Sequence, residues 1–295
     1  MKFCSYNIQY GLGKDNRVDL DRIVADFGEQ DIVCLQEVEK YFPETNNLDQ
    51  VTEIARRLPH YHWVYGPGVD VDADTHDENG HVQHGRRQFG NMLLSRSPIL
   101  SSRNYLLPKH GLLDPISLQR SVLEGVIDAP SGPLRVFTTH LAHASAAERL
   151  DQIRALQSII RNGPEGGGVW SGSQVPAHWM DTGNPPPMPS RAIIMGDFNI
   201  TPQDAEYEFL VGGMDMAYGR LGRLDGLIDA WVASQSGDFN QSTCVESARG
   251  DRPERSVRLD YMFVTPDLAA LVKSMHIDDS AQGSDHQPIF ALLDI

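Results

Sequence analysis

Residues Phe3 to Ile8, Phe3-Cys4-Ser5-Tyr6-Asn7-Ile8, follow a period of two. That is the period of a strand, with Phe3, Ser5 and Asn7 on one face. Leu20, Ile23, Val24 and Phe27 then recur at helical spacing and Gly28 follows them, which predicts an amphipathic helix with a glycine stop. The apolar run Ile32-Val33-Cys34-Leu35 ends in Gln36-Glu37 and reads as a buried strand delivering a carboxylate at its end. A second helix is expected through Val51, Ile54, Ala55 and Leu58, and further strands at 91–94, 121–127, 134–139, 192–195, 259–264 and 289–293. Ser145-Ala146-Ala147-Glu148 is a capping-box pattern that opens another helix, continued by Leu150, Ile153, Leu156, Gln157 and Ile160. Many short strands with few, dispersed helices fit two packed sheets flanked by helices better than a regular βαβ alternation.

Two stretches stand out as inserted loops. Gly66 to Gly85 holds Asp70, Asp72, Asp74, Asp77 and Glu78 with His76, His81 and His84, and lacks a hydrophobic period. Gly163 to Pro189 is rich in glycine and proline. Strand-like segments with candidate chemistry lie on both sides of each, so residues 1–295 are expected to form one catalytic domain.

Composition narrows the class. Hydrophobic residues make up 40% of the 295, enough for a large core. No run of roughly eighteen apolar residues occurs, and the opening MKFCSYNIQY lacks a basic segment followed by a hydrophobic one. The expectation is a cytoplasmic protein with no transmembrane segment. Cys4, Cys34 and Cys244 are odd in number and far apart, which suits reduced core thiols. A net charge of −15 opposes a large nucleic-acid footprint, although a local basic groove would be compatible with it.

The candidate chemistry sits at strand ends. Ile193-Ile194-Met195-Gly196-Asp197-Phe198-Asn199 is an apolar strand that stops at a glycine and presents an acid and an amide two residues apart, on one face if the strand continues. Ser284-Asp285-His286 precedes the last strand and sets an acid beside an imidazole, a pairing suited to metal ligation or proton transfer. Arg258-Leu259-Asp260-Tyr261 opens a strand and Thr138-Thr139-His140-Leu141 closes one. Any one of these has an ordinary structural explanation. Polar residues at the ends of several apolar strands, taken together, are a poor way to build a core and a good way to build a site.

Tyr6-Asn7-Ile8, Leu35-Gln36-Glu37-Val38, Thr139-His140-Leu141, Gly196-Asp197-Phe198-Asn199, Arg258-Leu259-Asp260-Tyr261 and Ser284-Asp285-His286 occur in this order. In these motifs the chain resembles the endonuclease/exonuclease/phosphatase superfamily, the fold of pancreatic deoxyribonuclease. The resemblance implies an α/β (α+β) four-layer sandwich, two packed and mostly antiparallel sheets flanked by helices. It implies that Glu37, helped by Asn7, holds a catalytic divalent ion, Mg²⁺ or Mn²⁺, with Asp285 near the same ion. Asp197 and Asn199 would position or deprotonate the attacking water and could bind a second ion. His286, oriented by Asp260, would contact the phosphate, act in proton transfer or serve as a ligand, and His140 would stabilise charge on the phosphoryl oxygens. Asn91 and Arg120 resemble family positions near the phosphate. The chain departs from abasic-site endonucleases at Gln9, where they carry an acid, and this argues against that branch.

Metal-dependent hydrolysis of small or lipid-like phosphodiesters is the function expected. A nuclease is the alternative, a phosphomonoesterase ranks third, and a binding protein without catalysis is disfavoured because a dead site has no reason to keep mutually repelling acids together. The partner expected is a phosphoester, with nucleic acid disfavoured by the charge and by the lack of a lysine-rich stripe interleaved with aromatics. Oligomeric state and the natural substrate are not legible.

Overall fold

A computed structural model describes residues 1–172, 185–237, 241–246 and 255–295. Twelve strands form its two large sheets. In chain order these are β1 (Lys2–Asn7), β2 (Ile32–Lys40), β3 (His62–Asp72), β4 (Arg86–Ser95), β5 (Ile99–Leu106), β6 (Ser121–Ile127), β7 (Leu134–His140), β8 (Ala192–Asp197), β9 (Ile228–Asp229), β10 (Asp260–Val264), β11 (Val272–Ile277) and β12 (Ile289–Leu293). The first sheet has the order β11-β12-β1-β2-β4-β3 and the second β9-β10-β8-β7-β6-β5. In each sheet a single parallel pair, β1 with β2 and β8 with β7, lies inside antiparallel neighbours. Parallel strands end at the same side of a sheet, so these central pairs set four chain ends close together.

Alternation decides the layers. Phe3 joins Ile32, Cys34, Leu93, Val136, Ile193, Met195 and Met262 in the core between the sheets. Its neighbours Cys4 and Tyr6 face the other way, onto Leu20, Ile23 and Phe27 of α1 (Leu20–Phe27) and Val51 and Ile54 of α2 (Gln50–Arg57). Phe137, Ile194 and Phe263 do the same for the second sheet. They pack on Ile153, Leu156 and Ile160 of α3 (Ala146–Gly166) and on Tyr207 and Leu210 of α4 (Ala205–Val211). A short α5 (Ala230–Ser234) adds Ala230 and Trp231 to the inter-sheet core. The result is a four-layer sandwich of helices, sheet, sheet and helices.

The expected caps form. Gly28 ends α1 at φ 57°, and Ser145 accepts the Glu148 N–H at 3.2 Å. The Glu148 carboxylate turns instead to Gln152 and Ser117, so only half of the capping box is made.

Gly66 to Gly85 is not loop throughout. β3 runs on to Asp72 and pairs with the start of β4, and Thr75–His76 pairs with Val82–Gln83 at the tip, making one long hairpin. Its outer part is exposed and polar, which explains why it shows no hydrophobic period. Of the Gly163–Pro189 stretch, α3 takes the beginning, as far as Gly166, and residues 173–184 lie outside the described residues. All three cysteines are free and buried. Among the described residues no helix is long and apolar enough to cross a membrane.

Candidate active site

The central parallel pairs bring Asn7, Glu37, His140 and Asp197 to one edge of the sandwich, and Asp260 stands opposite Asp197 in the β8/β10 register. Close backbone packing makes this possible. Gly196 has φ 151°, and a Cβ there would lie 1.9 Å from the Thr139 carbonyl oxygen, so only glycine lets β8 approach β7 just before Asp197.

Glu37 reaches the site through an irregularity. β2 does not end at Gln36-Glu37 but continues to Lys40, and its register against β4 shifts between Leu35 and Val38. Glu37 occupies this bulge at φ 58°, a left-handed conformation that costs a non-glycine residue on the order of 1–3 kcal/mol and is kept where it aims a side chain. Asn199, at φ 52°, is a second such residue. β8 stops at Asp197, so the two side chains meet by a turn rather than by the pleat of a continuing strand.

Hydrogen bonds tie the two sheets together here. Asn7 Nδ2 lies 3.0 Å from Asp197 Oδ2 and 3.3 Å from Glu37 Oε1. Its Oδ1 accepts the Gln9 N–H at 3.0 Å, so the amide turns its donor side to the carboxylates. Asp197 Oδ1 accepts the Asn199 N–H at 2.9 Å. Buried Gln36, which carried no signal as a site residue, crosses between the sheets to Thr138 Oγ1 at 2.9 Å. Thr243 Oγ1 accepts the N–H groups of Leu259 and Asp260 and fixes the start of β10.

Both imidazoles have defined surroundings. Arg120 can only donate, and its Nη1 lies 3.0 Å from His140 Nδ1, while His140 Nε2 lies 3.3 Å from Asp197 Oδ2. Asn199 Nδ2 lies 3.0 Å from the same Nε2 and donates to the Leu141 carbonyl. Burial, then Arg120, push His140 well below the usual histidine range. His286 behaves oppositely. Burial alone would lower it, but Asp260, at 2.8 Å from Nδ1, and Asp197, at 3.7 Å from Nε2, hold the ring well above that range. Burial and the Asp260 charge push Asp197 up to about 7, against the pull of His286. Burial likewise raises Glu37, Arg120 and His286 oppose the shift, and Asp285 adds to it from the loop before β12.

Asn91 and Arg120 border Glu37 and His140 in a small recess completed by Gly68, Phe89, Gly90, Gln119 and Ser121. Arg120 differs from the other buried arginines. Arg135 lies 2.6 Å from Glu124 and Arg258 lies 3.2 Å from Asp229, whereas among the described residues no carboxylate comes within ion-pair distance of Arg120. Its hydrogen-bond partners are His140 and His143, the latter a residue that sequence reasoning passed over although it follows His140 by three positions. A buried guanidinium without a carboxylate is costly unless it meets an anion.

The donor set fits a hard divalent cation. Ligand atoms of Asp197, Asp260 and His286 lie within 4.8 Å of one another, and Asp260 Oδ1 is buried with no hydrogen-bond partner among the described residues. Crowded carboxylates of raised pKa are what a bound cation would stabilise. Glu37 and Asp285 supply further oxygens nearby.

Fold and site thus define a hydrolase class that works through buried carboxylates and imidazoles at the ends of central strands. The chain belongs to the endonuclease/exonuclease/phosphatase family, whose profile matches residues 4–286. Enzymes of this family are phosphoester hydrolases that typically use divalent metals. Solved structures agree in fold. A family protein from Leptotrichia buccalis C-1013-b superposes with a TM-score of 0.63 at 18% identity, over 100% of both chains. D. rerio TDP2, complexed with a single-strand DNA product, gives 0.60 at 19% identity over 99% of this chain and 97% of that one. A mannosyl-6-phosphatase from Bacteroides thetaiotaomicron VPI-5482 gives 0.59 at 16% identity over 100% of both. No curated protein matches the chain in sequence.

Proposed function

We propose that residues 1–295 act as one catalytic unit, a divalent-metal-dependent phosphodiesterase for small or lipid-like diesters, using Mg²⁺ or Mn²⁺. The observation that carries this is the convergence of Glu37, Asp197, Asp260, His140 and His286 around one edge of the sandwich, beside the carboxylate-free Arg120.

Glu37 and Asp285, with Asp260, would hold the metal, which supplies charge neutralisation at the phosphoryl oxygens and a water of lowered pKa. Asp197, raised by burial, suits a base that takes a proton from the attacking water near neutral pH. Asn199 holds that carboxylate through its backbone N–H, and Asn7 holds the opposite oxygen. His286 cannot be both a cation and a ligand. Its bond to Asp260 supports the cationic role, with Nε2 presented to the phosphate. His140, buried between Arg120, Asn199 and Asp197, lies beside the phosphoryl position, and Arg120 meets the anion.

The neighbouring folds include a protein solved with DNA product and a phosphatase, so architecture alone does not choose the substrate. Charge favours a small diester over nucleic acid: the net value is −15, and among the described residues Arg120 is the one arginine or lysine bordering the recess. Three free, buried thiols suit a reducing, cytoplasmic setting. The test is a matrix of 4-nitrophenyl mono- and diesters, phospholipid headgroup diesters and plasmid DNA, each with Mg²⁺, Mn²⁺, Zn²⁺ or Ca²⁺. Turnover confined to monoesters or to DNA would replace this assignment.

A further inference from the structure

Arg120, 5% exposed, is a buried cation with an unusual pair of neighbours. Its Nη1 lies 3.0 Å from His140 Nδ1 and its Nη2 lies 3.4 Å from His143 Nδ1, so one imidazole stands at each arm of the fork. A guanidinium offers only N–H donors, and His143 therefore contributes to this contact as a neutral acceptor. Burial, then the Arg120 charge, keep its ring below the usual histidine range, against the pull of Glu148.

The turn that carries His143 between β7 and α3 has its supports elsewhere. The Leu141 N–H donates to the Asp197 carbonyl at 2.9 Å, and Asn199 Nδ2 donates to the Leu141 carbonyl at 3.1 Å. The Ala142 N–H donates to buried Gln152 Oε1 at 2.8 Å. Arg149 Nη1 donates to the Ala142 and His143 carbonyls at 3.2 and 3.3 Å, and Glu206 holds Arg149 at 3.2 Å. Backbone contacts thus fix the turn, while residue 143 is exposed and its imidazole is left to address Arg120.

The kind of acceptor matters. Arg135 and Arg258 sit 2.6 and 3.2 Å from Glu124 and Asp229, whereas Arg120 has no carboxylate at ion-pair distance among the described residues. A carboxylate orients a guanidinium and also neutralises it. A neutral imidazole orients it and leaves its charge for an incoming anion.

We infer that His143 is a positioning residue for phosphoester hydrolysis, aiming the Arg120 guanidinium at the phosphoryl oxygens without neutralising it. The inference rests on the reading above in which Arg120 meets the substrate anion, and it adds a residue that acts through Arg120 rather than on the substrate.

Asparagine, aspartate and leucine branch at Cγ as histidine does. At position 143 they place a neutral acceptor, a charged acceptor and no acceptor where Nδ1 now lies. The full chain is assayed on bis(4-nitrophenyl) phosphate with Mn²⁺. His143→Leu should lower kcat/KM about ten-fold, mostly through KM, because the hold on the anion loosens in ground state and transition state alike. His143→Asn should stay within about three-fold of wild type, and His143→Asp should lose at least as much as His143→Leu although its acceptor is the stronger one. In an Arg120→Met background, His143→Leu should change kcat/KM by less than about two-fold, since its effect passes through Arg120. Wild-type kinetics in His143→Leu, equal activity in His143→Asp and His143→Asn, or a His143→Leu effect that persists without Arg120 overturns the inference and leaves the phosphodiesterase intact. Equal losses in His143→Asn and His143→Leu also overturn it, since the imidazole would then touch the substrate itself. If bis(4-nitrophenyl) phosphate is inert to the wild type, the phosphodiesterase assignment has failed, and the Kd of inorganic phosphate with Mg²⁺, measured by calorimetry, decides among the same variants in the same order. Should Arg120→Met not fold, the three substitutions at 143 still decide.

Discussion

Asp260 lies 2.8 Å from His286 Nδ1 through its Oδ2, while its Oδ1 is buried without a partner among the described residues. One carboxylate thus orients an imidazole and keeps an oxygen in reserve for a cation, and Asp197 stands opposite it in the same ladder. Removing its charge with Asp260→Asn should release His286 from its raised pKa. A group that works as a cation then fails at lower pH. We expect kcat/KM to fall about 100-fold, with the alkaline limb of the pH–rate profile displaced toward acid. A profile that keeps its shape and position would assign Asp260 a purely structural part.

Glu37 is held in a left-handed bulge, partly exposed and close to both histidines and Asp285. Chelation with EDTA should abolish turnover. Glu37→Gln, which removes ligand charge with little change in volume, should lower the rate on the order of a thousandfold. Circular dichroism should be unchanged. Wild-type turnover by the purified variant at saturating Mn²⁺ would show that Glu37 does not hold the metal.

Much of this was legible along the chain, for definite reasons. Period two in residues 3–8 put Phe3, Ser5 and Asn7 on one face, and it is legible because one side of β1 meets the other sheet and the opposite side meets α1 and α2. α1 was bounded because Gly28 takes a conformation that side chains resist. β3 was not visible: Gly66-Pro67-Gly68 interrupts its pattern where its register shifts, and its far half is exposed. β5 escaped for another reason, since its outward positions in Ile99–Leu106 include Leu100 and Leu106, which blur its alternation. At the site, the motifs pointed to residues but not to how they arrive. A bulge such as that at Glu37 is a backbone event with no side-chain signature. The missing carboxylate at Arg120 is likewise a property of three dimensions, visible only beside Arg135 and Arg258.

Gly196→Ala should be severely destabilising. Its Cβ would be 1.9 Å from the Thr139 carbonyl oxygen, a backbone atom that cannot move without breaking the β7/β8 ladder, and φ 151° adds strain. A loss of more than about 3 kcal/mol in urea unfolding is expected, or failure to accumulate as folded protein. A variant within about 1 kcal/mol of wild type would mean that the two strands separate easily at this point.

Glu39 gives the metal-free protein a pH-dependent stability. Burial raises its pKa from 4.5 to about 7 even though Thr45 Oγ1 donates to it. The folded state therefore binds a proton that the unfolded state has released. Stability should fall as pH rises from about 4.5 to 7 and level off above that, a loss on the order of 1–3 kcal/mol. Glu39→Gln should flatten this slope and leave the EDTA-treated protein more stable than wild type at pH 8. Parallel stability curves for the two proteins over that range would exclude Glu39 as the source.

Salt dependence separates a small-diester enzyme from a nuclease. A protein that neutralises several DNA phosphates releases counterions and loses affinity steeply as salt rises, by about 10³–10⁵ between 50 and 200 mM for 6–10 contacts. Among the described residues the recess is bordered by Arg120 alone of the arginines and lysines, and the molecule carries −15 overall. Contact with a small diester involves the metal centre, His140, His286 and Arg120, so its kcat/KM should change no more than about two- to three-fold over that range. Plasmid nicking should be weak throughout. Nicking that is efficient at low salt and collapses by physiological salt would mean that a basic surface elsewhere on the molecule engages the duplex, and the nuclease assignment would then replace the phosphodiesterase one.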